Sequence, residues 1–153
     1  MAKAPQQADL FLIPLLDGTF CVSQIVDVLI SGSCLCAISK RQISKDSPIS
    51  ALSLSDLQAL ILINSDAIET GVWAVNGFEQ LPQINSIFKW RDAKLDGYAN
   101  LERQDPAVIE AFANATFGLY PWDGFGTADF FVRFLINPDQ IPSAAILTNG
   151  APA

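Results

Sequence analysis

The groups in this chain that could do chemistry are its carboxylates and its thiols. Sixteen Asp and Glu and three Cys occur among 153 residues, with no histidine. Without imidazole, the usual general base near neutral pH and the commonest metal ligand are both missing. Ser-His-Asp and Cys-His arrangements are excluded outright. Carboxylate chemistry survives that exclusion. A glycosidase-like pair, however, needs a set separation across a cleft, and no spacing along this chain imposes one. No catalytic residue is assigned, and an enzyme is not expected.

Cys21, Cys34 and Cys36 form no even-numbered framework, which suits a reducing, cytoplasmic setting. On a strand, Cys34 and Cys36 share a face and read as small buried hydrophobes. Neither a metal nor a cofactor is expected from them, since further ligands of the right type are not nearby.

The segment Tyr120-Pro121-Trp122-Asp123-Gly124-Phe125-Gly126-Thr127-Ala128-Asp129 is the most unusual. Glycines there let the backbone approach a neighbour closely. It reads as a recognition surface for a partner, with Tyr120, Trp122 and Phe125 as aromatic contacts and Asp123 and Asp129 as charge contacts. It reads also as an inter-helix connection whose aromatics plug the core. Gly124-x-Gly126 lacks the third glycine, preceding strand and nearby lysine of a nucleotide loop.

From Asp92 to Asp139 eight acidic residues face only Lys94, Arg103 and Arg133, a net of −5. The whole chain carries −7. Such a field repels phosphate backbones, so nucleic acid is not expected as a partner, and it steers a basic protein. It also keeps a chain that is 50% hydrophobic in solution.

The elements that must position these groups read as follows. Residues 1–8 form a frayed tail. Strands are expected over Leu10–Leu15, Phe20–Ile30, Cys34–Ser39, Leu60–Ile63, Gly71–Val75 (centred on Trp73) and Ile87–Trp90. Asp17-Gly18 and Ser31-Gly32 turn the first three into a meander. Arg41 to Ser53 is a connector, and Ser55 caps a short helical turn. Asp92 to Gln104 is a polar loop. Asp105-Pro106 starts a helix whose stripe is Val108, Phe112 and Ala115 beside Ile109, ended by Gly118. Thr127 caps a second helix over Ala128–Leu135, and Ala144–Thr148 returns as an edge strand. No apolar run approaches the length needed to cross a membrane, because Asp27 interrupts the second-best candidate.

The resulting fold class is α+β within one domain, residues 1–153. A mostly antiparallel meander or partly open barrel fills 9–91, and two C-terminal helices within an acidic part, 92–153, pack on it. A monomer or weak homodimer is expected. An alternative function is a small-ligand or uncharacterised interaction domain, its pocket between sheet and helices lined by Trp73, Trp90 or Trp122.

Two segments resemble a known family. Leu10-Phe11-Leu12-Ile13-Pro14-Leu15-Leu16-Asp17-Gly18-Thr19-Phe20 is similar to the opening of the Immunity protein 26 family. Gly71-Val72-Trp73-Ala74-Val75-Asn76-Gly77, followed by Pro82 and Phe88, resembles its Gly-x-Trp-x-x-x-Gly and Pro-x-Phe region. The resemblance covers about the first 90 residues. Cys21-Val22-Ser23-Gln24 departs from it where a glycine-containing stretch is expected. The resemblance implies a mostly β, non-catalytic bacterial protein that neutralises a cognate toxin by direct contact; the charge of −7 favours a basic toxin domain as that partner.

Overall fold

The computed structural model describes residues 4–153. Six strands form one open sheet: β1 (Asp9–Pro14), β2 (Phe20–Leu29), β3 (Ser33–Ile43), β4 (Leu57–Asn64), β5 (Val75–Phe78) and β6 (Arg103–Gln104). Their spatial order is β5-β1-β2-β3-β4-β6. All neighbours are antiparallel except β4 and β6. Three helices join them: α1 (Asp66–Glu69), α2 (Trp90–Leu95) and α3 (Pro106–Thr116). The fold is α+β, with an open, mostly antiparallel sheet.

Alternation along the strands explains the layering. Phe11, Ile13, Cys34, Cys36, Ile38, Ile61 and Ile63 point to one face, under α3 and the aromatic segment that follows it. Leu10, Leu12, Leu35, Ala37 and Leu62 point to the other, under Trp90, Tyr98 and the connector residue Leu52. A sheet apolar on both faces must be covered on both. The polar stretch after β5 is therefore a second covering layer.

The meander through β4 lies where the turn residues place it. Gly18 and Gly32 adopt φ of +86° and +84°, conformations that an L side chain rarely takes. β3 runs on to Ile43 and β4 begins at Leu57, both longer than the sequence indicates. The short helical turn is a 3-10 helix over Leu54–Asp56, preceded by Ser53 rather than Ser55; Asp56 accepts from the Ser53 amide at 2.8 Å.

Several expectations fail for tertiary reasons. Trp73 lies in a turn before β5, not in a strand, and is wholly buried. Ile87–Trp90 is no strand; α2 begins at Trp90 inside the stretch expected to be extended and loop. The tail expectation falls partly on residues 1–3, outside the described residues. Residues 7 and 8 are tied to β2 through Ala8 N to Ile25 O at 2.8 Å and Gln7 Nε2 to Val26 O at 3.0 Å.

α3 forms as its sequence dictates. The Asp105 carboxylate accepts from Ala107 N at 2.8 Å with Pro106 in the first turn. Ile109, Phe112, Ala113 and Ala115 are buried against the sheet. The second helix is a 3-10 stretch, Phe130–Phe134, and 144–148 contributes one isolated bridge, Ile146 to Pro152, rather than a strand.

Candidate functional site

The aromatic segment after α3 is folded back on the core. Trp122 is only 2% exposed and packs on Phe112 and Phe131, with ring centroids 6.2 and 5.6 Å apart. Its indole is therefore a core element and not a surface anchor, a correction to the expected recognition role. Tyr120 and Phe125 are half-buried, on Phe131 at 6.3 and 5.9 Å. The Tyr120 hydroxyl donates to Gly124 O at 3.1 Å and closes the loop.

Asp123 is committed to the chain itself. Its carboxylate accepts from Thr148 N at 2.8 Å and Thr148 Oγ1 at 2.7 Å, and those bonds hold it below the usual carboxylate range. Asp129 is exposed and accepts from Thr127 Oγ1 at 2.9 Å. What the loop shows to solvent is thus its tip, Gly124 and Gly126 to Asp129, beside the half-buried Phe125.

The acidic stretch does not form one surface. Asp92 and Asp96 belong to the α2 region, which covers the face opposite α3. Asp105 and Asp129 lie with α3 and the aromatic segment. Glu110 turns inward and accepts from the Trp73 indole Nε1 at 2.9 Å.

A cleft of about 590 Å³ opens at the end of the sheet where β4 begins. Its walls come from the 3-10 turn at Leu54, the start of β4, the end of α3 and the segment 135–144. That segment is held by Ile136 N to Gln58 O at 2.9 Å and by a bridge between Leu135 and Ala59. Neither this cleft nor a smaller one of about 150 Å³ beside Glu102 and Arg133 is lined by a tryptophan. Trp73, Trp90 and Trp122 pack into the two cores instead.

One buried charge escaped the sequence reading. A bulge between Ile25 and Asp27 carries Asp27 onto the face of Leu35 and Tyr98. There it accepts from Tyr98 Oη at 2.7 Å and Lys94 Nζ at 3.2 Å. Burial, with the hydrogen bond to Asp27 added, pushes the Tyr98 phenol well above its ordinary pKa. Simple alternation would have placed Asp27 on the other face; only the bulge reveals its partners.

The thiols are inert. Burial raises Cys21 to about 12, and burial assisted by Glu69 and Asp27 does the same for Cys34. Cys36 is also raised by burial. The three are free and buried. Among the described residues no three His, Cys, Asp or Glu side chains gather to hold a metal ion, and no helix is long and apolar enough to cross a membrane.

No family model matches the chain, and neither the curated proteins nor the solved structures yield a similar one.

Proposed function

We propose that this protein acts by binding rather than catalysis, as a cytoplasmic immunity-type protein that neutralises a cognate bacterial toxin by direct contact. The observation that carries the reading is the meeting of the two segments that resemble the Immunity protein 26 family. β1 and β5 pair through Leu10 with Gly77 and Phe11 with Val75. Trp73 stacks on Phe11 with centroids 5.7 Å apart and planes 8° from parallel. A hairpin turn, an aromatic pair and a glycine-bearing strand distant in sequence thus form one structural unit, as parts of a single motif would.

Supporting this, the larger cleft contains no carboxylate, and the thiols are buried. The net charge of −7 favours a basic partner. The contact surface we assign is the loop tip, with Asp129 and the half-buried Phe125 and Tyr120 in contact; Trp122 and Asp123 support it from within.

Co-purification with the product of the adjacent gene tests the reading at low and at high salt. Association that weakens with salt is expected. No association at either ionic strength ends it. Asp129→Lys should weaken the complex about tenfold through slower association.

A further inference from the structure

The cleft at the start of β4 differs from the rest of the surface. The chain carries 16 acidic against 9 basic residues, yet the one charged residue lining the cleft is Lys40. Ion pairs among the described residues engage Arg41, Lys94 and Arg133, not Lys40.

Gln58, only 6% exposed, also lines the cleft. Its amide orientation follows from its partners. Nε2 faces the Ser39 carbonyl at 2.9 Å, a group that can only accept. It also reaches Thr116 Oγ1 at 3.2 Å, whose own proton goes to Ala113 O at 2.7 Å. The Gln58 carbonyl oxygen is left as an acceptor without a hydrogen-bond partner among the described residues. Leu57, Phe117, Leu135 and Ile141 supply apolar wall beside these two groups, and the uncharged polar residues Ser55, Thr116, Asn137, Gln140 and Ser143 complete the lining. The volume falls in the range of small-molecule sites, roughly 300–1,000 Å³.

The geometry points to a binding site for a small organic acid with an apolar body and an N–H or O–H donor near its carboxylate. The carboxylate pairs with Lys40, the donor meets the Gln58 carbonyl oxygen, and the apolar body lies on Leu57 and Phe117. This goes beyond the protein-binding reading and does not depend on it.

N-octanoylglycine is a suitable probe, having a carboxylate, one N–H and an alkyl chain. Titrated into isotope-labelled protein, it should shift the Gln58 side-chain amide and the backbone amides of Thr116, Phe117 and Ile136. It should bind about fivefold tighter than the uncharged N-octanoylglycinamide, a difference of about 1.0 kcal/mol. Lys40→Met, at an exposed position, should abolish that preference and leave the amide's affinity unchanged. N-octanoylsarcosine, lacking the N–H, should bind about threefold or more weaker than N-octanoylglycine, which tests Gln58 without altering it. Equal affinity for acid and amide, an unchanged preference in Lys40→Met, equal binding of the sarcosine analogue, shifts elsewhere, or no shift at millimolar probe would each overturn the inference.

Discussion

Trp73 donates its indole N–H to the Glu110 carboxylate at 2.9 Å. The bond ties the turn before edge strand β5 to α3, 37 residues later in the chain. It satisfies the one polar atom of a side chain otherwise stacked on Phe11 in the core. A buried indole with a partner specifies its position more sharply than one without. Trp122, by contrast, has no partner for its buried Nε1 among the described residues.

The two tryptophans should therefore respond differently to Phe. Trp73→Phe loses ring volume and leaves Glu110 unpaired, and should destabilise by about 2–4 kcal/mol. Trp122→Phe also loses volume but removes an unsatisfied donor, and should cost about 1–2 kcal/mol less than Trp73→Phe. Urea unfolding of both variants checks the order. Equal losses would mean that the Glu110 bond contributes nothing.

Tyr98→Phe should destabilise by about 1–3 kcal/mol, because it takes a charge-assisted bond from buried Asp27. Lys94→Met should cost under about 1 kcal/mol, since that side chain is 56% exposed. Hydrogen exchange should show the loss in Tyr98→Phe concentrated in residues 90–101, the segment that the bond holds to the sheet. Uniform loosening would argue against that anchoring role.

Alkaline pH should weaken the fold. The Cys21 and Cys34 thiols rise from 9.0 to about 12 on folding. Below 9 both states hold their protons and the full stabilisation is present. Between about 9 and 12 only the unfolded chain ionises, so stability falls as pH rises. Replacing Cys21 and Cys34 by Ala should flatten the decline of the melting temperature over that window. An unchanged slope would remove the thiols as its cause.

At low pH, Asp123 acts in the opposite sense. Its carboxyl is held below 3.8 by Thr148, so its stabilisation is present above that value and is lost as pH falls through the folded pKa. Asp123→Asn should speed exchange of the Thr148 amide at neutral pH. Protection at wild-type level would show that the bond does not hold the C-terminal segment.

Gly118→Ala should destabilise by about 1–3 kcal/mol. Its φ is +76°, and an added Cβ would lie 2.6 Å from the Ala144 carbonyl oxygen. Because Ala144 lines the cleft, the same substitution should alter the cleft's shape. Amide shifts confined to 117–119 and 143–146, with a lower melting temperature, would be the signature.

The sequence by itself determined the parts governed by local rules. Asp-Gly and Ser-Gly turns set the meander, because positive φ is cheap only for glycine. Asp105-Pro106 set the start of α3, because the cap and the fixed φ act within one helical turn. The two-residue spacing of Cys34 and Cys36 placed both thiols in one core. The absence of histidine also limited the chemistry without any structure. Tertiary packing decided the rest. Trp73 reads as a strand centre in the sequence, but it lies in a turn, stacked on Phe11 with its indole N–H on Glu110. Trp90 starts a helix because the second sheet face needed cover. The aromatic loop is readable as surface or core; contacts with Phe112 and Phe131 place Trp122 inside and leave the tip exposed. The bulge that turns Asp27 toward Tyr98, and the cleft uniting Lys40 with Gln58, join elements distant in the chain. No local pattern encodes such meetings, because they follow from register and from how covering layers settle on a two-faced sheet.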